Sequence, residues 1–382
     1  MTELDLIRIH PGAAGEVAAY LEQKSHHQVV LAADLATYKA AGEALASSLT
    51  RSGIKVHITF IKPDAQDDVI ADEASLIQLI LDIQRHHAEA VIAVGGGTLH
   101  DIVRYSAYTT GIPFISVPTA PSVDGFNSKG APIIIRGEKK TIPAIGPDAI
   151  FADLDILVQA PPAMVAAGFG DMLGKYTSLF DWRFGTITAD EPYLQAAADM
   201  TRSALMECVN HAQLIADRQQ EGIQILIRSL IDSGLAMLQF GQSHPASGAE
   251  HHLSHYWEME YIRLGRRQLL HGAKVGVACM EISQLYHKLA ESGPELWHRN
   301  TVGEHANQSR RIIAGWSEIT QEIAQIPPAG ALKELLRQVG GPLSVEELSV
   351  SRELLERSLR EAHHVRPERR TLLKAYNELE NR

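Results

Sequence analysis

The sequence predicts an α/β nucleotide-type domain, residues 1–158, followed by an all-helical domain, residues 159–382. Three observations predict it. Short apolar runs alternate with amphipathic stretches up to about residue 155. After the proline pair Pro161–Pro162 these runs give way to long helical periods. The chain has 382 residues, 45% of them hydrophobic, and at that length a single core tends to split in two.

Taken in order, QVVLAAD (28–34) reads as a buried strand, and LATYKAAGEALASSLTRSG as a helix ending in glycine. KVHITFI (55–61) is a second strand, followed by the helical DEASLIQLILDIQRHH. AEAVIAV is a third, with TLHDIVRYSAYTTG as its helix, and PFISVPT (113–119) is a fourth. Strands alternating with helices imply βαβ units and a mostly parallel sheet. APIIIRGEKKTIPAI (131–145) reads as a hairpin closing this half. Beyond DILVQAPP the pattern is helical: AAADMTRSALMECVNHAQLIADR, GIQILIRSLIDSGLAMLQFG, HGAKVGVACMEISQLYHKLAES and SVEELSVSRELLERSLREAHH. Two such domains leave a cleft between them, a favoured place for ligands.

Composition narrows the function. Lys+Arg total 35 against Asp+Glu 46, a net charge of −11, which argues against nucleic-acid backbone as a partner. Two cysteines, Cys208 and Cys279, imply no disulfide framework and fit a reducing cytoplasm. The opening MTELDLIRIHPG carries early charges and no apolar core of a secretory signal. No run approaching the ~20 apolar residues of a membrane span is read.

Two loops carry the first chemistry. In VIAVGGGTLHD (91–101), Gly95, Gly96 and Gly97 follow a strand and open a helix. Free N–H groups and the helix dipole favour an anion there, and bare backbone lets a diphosphate approach. Thr98 and Asp101 have the spacing of a near-capping box. SVPTAPSVDGFNS (116–128) also follows a strand and is rich in small hydroxyl residues. Loops at the carboxyl ends of adjacent parallel strands flank one crevice, which makes a dinucleotide site the favoured reading. Asp34, ending the first strand, would bond ribose hydroxyls and so argues for NAD.

A second constellation lies in the helical half. GFGDMLGK places Asp171 near the start of the first long helix. SGAEHHLSHYWE places His251, His252 and His255 on about one turn, and LLHGAKVG places His271 at another helix start. His251 and His255 share a helix face; His252 points about 100° away and serves as a control. A continuous helix would hold His251 and His271 ~30 Å apart. Shared ligation of one ion, at ~2.0–2.2 Å, therefore requires the chain to reverse, and RLGRRQ with Gly265 offers the break. One Asp and two His leave open positions on a divalent ion, as catalytic sites do. A Lewis acid there stabilises the alkoxide from which hydride departs to a nicotinamide.

GGGT-x-x-D, PTAPS-x-DG-x-x-S, GFGD, GAEH-x-x-SH and HG-x-x-VG occur in that order over nearly the whole chain. The sequence thereby resembles the metal-dependent group that includes glycerol dehydrogenase, iron-containing alcohol dehydrogenase and dehydroquinate synthase. Within it the match is to the sn-glycerol-1-phosphate dehydrogenase family, bacterial AraM-type branch. The resemblance implies Asp171, His251 and His271 as metal ligands. It implies Asp124, Asp171 and His255 as catalytic, substrate-contacting positions. Gly95, Gly96, Gly97, Thr98, Leu99, Thr119, Ala120, Pro121, Ser122 and Ser128 match cofactor-contacting positions. The implied reaction interconverts dihydroxyacetone phosphate and sn-glycerol 1-phosphate with NAD or NADP, for glycerophospholipid synthesis. The branch favours Ni2+, with Zn2+ as the alternative, and a cytoplasmic homodimer without membrane insertion. Glycerol dehydrogenase and a dehydroquinate synthase-type lyase are the competing readings.

The iron-type alcohol dehydrogenases place a ligating His one turn after the Asp. Here that position is Lys175, a candidate contact for the substrate phosphate, with Lys129, Lys139 and Lys140 as rivals. HHVRPERRTLL (363–373) reads as a solvated basic helix end, and Cys208 and Cys279 as core.

Overall fold

A computed structural model describes residues 4–300 and 306–379; Met1 to Glu3, on which the reading of the N-terminus partly rests, lie outside them. The chain forms two compact units. The first comprises Met1–Val165, Asp217–Leu235 and Ile262–Gln268, and the second Ala166–Ala216, Ala236–Tyr261 and Leu269–Arg382. Each is thus assembled from stretches far apart in sequence.

The first unit is built on strands β1 (Leu6–His10), β2 (Gln28–Ala33), β3 (Lys55–Phe60), β4 (Ala90–Gly95), β5 (Phe114–Pro118), β6 (Gly130–Ile135), β7 (Glu138–Pro143) and β8 (Ala149–Asp153). Six of them form one sheet in the order β1-β8-β5-β4-β2-β3, every pair parallel. β6 and β7 make a separate antiparallel ribbon, the expected hairpin. Why the strands read as unbroken apolar runs is plain from the packing. Val29 and Leu31 face one core cluster while Val30 and Ala32 face the other; in β4, Ile92 and Val94 face the first and Val91 and Ala93 the second. A parallel sheet covered on both faces needs apolar residues at every position.

The four strands read from sequence are β2, β3, β4 and β5; β1 and β8 are additions. β8, AIFAD, is wholly buried between β1 and β5, and five residues are too few to show a period. In β1, Arg8 and His10 break the apolar run and both meet Glu16. Outward winding starts with β2 to β3, then reverses, adding β4, β5 and β8 on the other side. The carboxyl ends of β2 and β4 therefore flank a switch point, where open α/β sheets bind ligands.

Six helices position the remaining chemistry: α1 (Gly97–Thr110), α2 (Pro162–Leu173), α3 (Lys175–Ala189), α4 (Gln220–Phe240), α5 (Ala249–Arg263) and α6 (His271–Ser292). Asp171 falls in the last turn of α2, not near its start as expected, because the helix begins at Pro162 and stops before Gly174. The helix expected over SVEELSVSRELL begins only at Arg352, where the Ser351 hydroxyl accepts from Leu354 N at 3.1 Å. Among the described residues one helix, α4, is long and apolar enough to cross a bilayer, contrary to the reading that no run comes near. Its Ile223, Leu226, Ile227, Leu230 and Ile231 are buried here, as in a core helix. Cys208 and Cys279 are thiols outside any disulfide and fully buried, and burial pushes the Cys279 thiol up to about 12.

Candidate active site

The glycine turn comes directly off β4. Gly96 is the N-cap residue of α1, extended at φ −83° and ψ −171°, with no side chain capping it. Thr98 is therefore inside the first turn, and the expected capping box does not form. The Asp101 carboxylate is instead paired with Arg104.

Packing explains two of the three glycines. A Cβ at Gly95 would lie 2.2 Å from the Leu99 side chain, and one at Gly97 would lie 2.8 Å from Val123. At Gly96 the nearest atom is the Met164 methyl at 3.6 Å, an ordinary contact. Nothing in the fold demands a bare backbone at that position.

The second loop leaves β5 beside the first, as expected: Gly95 and Pro118 are register partners, and Thr119 N donates to Gly95 O at 3.2 Å. Ala120, Pro121 and Ser122 are buried, and Ser122 N donates to Ala120 O at 3.0 Å. Ser128 Oγ accepts from Gly130 N at 3.0 Å, turning the chain into β6. Asp124 is buried, and its Oδ2 accepts from Ser233 Oγ at 2.9 Å. Two residues that sequence reasoning missed hold these loops in place. The fully buried Arg104 donates to the carbonyls of Phe126 (3.2 Å) and Gly130 (3.3 Å). His100 joins the glycine turn to β5. Its Nδ1 donates to Gly96 O at 2.9 Å, so its Nε2 accepts from Ser116 Oγ at 2.7 Å. Burial lowers this imidazole to about 3 and keeps it neutral. The signal for both was only a buried polar residue on an apolar helix face. Asp34, offered as a ribose contact, caps a short helix, its Oδ1 accepting from Thr37 N at 2.7 Å.

The chain does reverse between α5 and α6, through Gly265 at φ +60° in the Ile262–Gln268 stretch that belongs to the first unit. Asp171, His251 and His271 come together: one donor atom from each lies within 4.8 Å of the other two. Ligands of one ion at ~2.0–2.2 Å sit no more than about 4.4 Å apart, so the cluster is close to a coordinating span. The His251 and His271 rings are 5.2 Å apart, and His251 Nε2 is 3.7 Å from Asp171 Oδ1. The tautomer of His251 is set from behind. Its Nδ1 donates to Glu250 Oε1 at 2.7 Å, which leaves Nε2 as a bare lone pair on the Asp171 side. Glu250 is itself held by Gly248 N (2.7 Å) and Thr177 Oγ1 (2.6 Å). Burial pushes this carboxyl up, but the bonds from His251, Thr177 and Gly248 outweigh it and hold it below the usual range. His255, half-buried, lies 5.9 Å from the His271 ring and 6.5 Å from that of His251.

Lys175 is not available as a phosphate contact. It is fully buried, and its Nζ donates to Asp171 Oδ1 at 3.0 Å and to Ala246 O at 3.2 Å. Lys175→Met is accordingly expected to cost about 3 kcal/mol of stability and to disturb metal content, as loss of one partner from a buried pair does. A melting curve and metal analysis check this; a raised KM for dihydroxyacetone phosphate alone would contradict it. Of its rivals, Lys129 is exposed and Lys140 pairs with Glu138 at 3.0 Å. A second group, His57, Asp82 and His86 at the sheet edge, also brings one donor atom from each within 4.8 Å of the others, but it is half-buried and its two rings are stacked 3.5 Å apart.

Residues 8–161 match the iron-containing alcohol dehydrogenase family model. A glycerol-1-phosphate dehydrogenase (NAD(P)+) of Geobacillus thermodenitrificans is 45% identical over 98% of this chain and 93% of its own. The enzyme of the same name from Geobacillus stearothermophilus is 46% identical over 96% and 91%. The crystal structure of a glycerol dehydrogenase from Schizosaccharomyces pombe shares the fold, with a TM-score of 0.70 at 19% identity over 100% of this chain and 91% of that one. With relatives this similar along almost its whole length, the chain belongs to the glycerol-1-phosphate dehydrogenase family.

Proposed function

We propose that this chain is an NAD(P)- and divalent-metal-dependent glycerol-1-phosphate dehydrogenase. It reduces dihydroxyacetone phosphate to sn-glycerol 1-phosphate, reversibly, and feeds glycerophospholipid synthesis. The observation that carries the reading is the convergence of the Asp171, His251 and His271 donor atoms within 4.8 Å. The donor set fits a divalent ion: one carboxylate and two imidazoles, with His251 Nε2 bare because its proton sits on Nδ1, which donates to Glu250. Ni2+ is favoured and Zn2+ is the alternative.

The cofactors supply a hydride and a Lewis acid for the substrate oxygen. The protein supplies alignment and proton control. Gly95 to Leu99, Thr119 to Ser122 and Ser128 hold the dinucleotide in residues 1–158. Asp171, His251 and His271 hold the ion in residues 159–382. Asp124, kept in place by Ser233, and His255 contact substrate, and the His255 imidazole is the group placed to move a proton. The enzyme acts as a cytoplasmic homodimer.

The test is spectrophotometric. NADH and NADPH oxidation is followed with dihydroxyacetone phosphate, before and after reconstitution with nickel or zinc, and the product enantiomer is identified. Equal turnover of unphosphorylated substrate would favour a glycerol dehydrogenase. Absence of net NADH change with product formation would favour a lyase of the dehydroquinate synthase type. Gly96→Ala, where packing leaves room for a methyl group, is expected to raise the KM for NADH several-fold at an unchanged melting temperature. An unchanged KM would remove the glycine turn from the cofactor site.

A further inference from the structure

We propose that Arg366, Arg369, His244 and His252 form a built anion pocket in the second unit that takes the phosphoryl group of the substrate. The inference deepens the substrate reading above and rests on it.

The stretch HHVRPERRTLL is not the solvated helix end its composition suggests. Arg369 is 3% exposed, and His252, treated as a bystander because it points away from His251, is 1% exposed. Among the described residues, none of the three guanidinium nitrogens of Arg369 has a hydrogen-bond acceptor. Nor, among the described residues, does either ring nitrogen of His252 or His244 Nδ1 have a hydrogen-bond partner. Ser247 Oγ, three residues after His244, is also buried and unbonded. Arg366 reaches the same segment, its Nη1 donating to Ser243 Oγ at 2.6 Å.

The Glu191 carboxylate approaches this group. Glu191 Oε2 is 3.9 Å from Arg369 Nε and 3.5 Å from His244 Nε2, beyond good hydrogen-bond range, while its Oε1 accepts from Arg370 N at 2.7 Å. Arg370 Nη2 lies 2.6 Å from Glu378 Oε2, a closer ion pair than Arg369 makes, although its Nε has no hydrogen-bond partner among the described residues.

Buried polar groups are almost always bonded, and a buried cation without an acceptor is costly. The missing component must therefore accept many hydrogen bonds. A water also has two protons to place, and donors dominate here. A tetrahedral oxyanion is all acceptor, and planar guanidinium groups match it in paired bonds. The arginines set a positive field here: together with burial they hold His244 down to about 3, so its imidazole is neutral and offers a single N–H, while burial pushes the Glu191 carboxyl up. The pocket also neighbours the candidate metal group. His252 follows His251 in α5, and Arg369 feels the charges of Asp181 and Glu250, the latter bonded to His251.

The experiment uses the metal-loaded enzyme with inorganic phosphate and dihydroxyacetone phosphate. Millimolar phosphate is expected to raise the wild-type melting temperature and to inhibit competitively against dihydroxyacetone phosphate. Arg369→Met is expected to abolish the thermal shift and to raise the KM for dihydroxyacetone phosphate at least tenfold, leaving the KM for NADH unchanged. Arg366→Met, at a half-buried position, carries the same expectation if the first variant does not fold. Arg370→Met is the control and should leave both KM values unchanged. Absence of a thermal shift together with unchanged KM values in both variants would mean that buried water fills the pocket, and would overturn the proposal. Phosphate that shifts the melting temperature without competing would mark a site for free phosphate only and would overturn the substrate assignment. An active wild type with unaffected variants refutes the pocket alone; a wild type inactive on dihydroxyacetone phosphate refutes the reading beneath it.

Discussion

Replacing His251 with alanine is expected to strip the metal and lower turnover by roughly 10²–10³-fold or more, while the protein still folds. The magnitude is that of removing preorganised stabilisation of a developing oxyanion. Folding should survive because the imidazole makes one hydrogen bond among the described residues, to Glu250, and that carboxylate keeps Thr177 and Gly248 as donors. Metal analysis, steady-state rates and a melting curve on one preparation check all three parts. Wild-type turnover at matched metal content would show that His251 is not a ligand.

The second large effect is expected at Gly272, one residue after His271. A Cβ there would stand 1.8 Å from the carbonyl oxygen of Ala167, and one at Gly170 would stand 2.5 Å from that of Gly272. Here α2 and α6 touch backbone to backbone. Because the obstacle is backbone, no rotamer change relieves it, and a helix must move. Gly272→Ala is expected to lose about 3 kcal/mol, at the upper end of overpacking costs. It should also weaken metal binding in whatever folds, since Asp171 rides on one helix and His271 on the other. Thermal melts and a metal titration measure both, and a variant with wild-type values in each would refute the argument.

The two effects mark what could and could not be read from the chain. Each of β2 to β5 was legible because a doubly covered parallel strand is a continuous apolar run between turn residues. β1 was not, since Arg8 and His10 interrupt it, and neither was β8, too short to show a period. Residues 217–235 belonging with the α/β unit could not be read either, because long-range packing leaves no local pattern. Residue chemistry together with the required reversal at Gly265 pointed to Asp171, His251 and His271 as one group. Lys175 was read as a candidate phosphate contact because the i+4 spacing to Asp171 does not reveal depth. Arg369 was misread the other way, for composition suggests solvent where the fold buries it, with Arg366 and Arg370 half-buried.

Asp171, His251 and His271 come from three segments that meet only when the helical unit has closed. An unfolded chain offers the ion no such cage, so occupancy is coupled by mass action to the folded population. At free ion 1,000-fold above Kd this coupling adds about 4 kcal/mol. Cellular supply of the metal would then set not only how fast the enzyme works but how long each molecule escapes proteolysis.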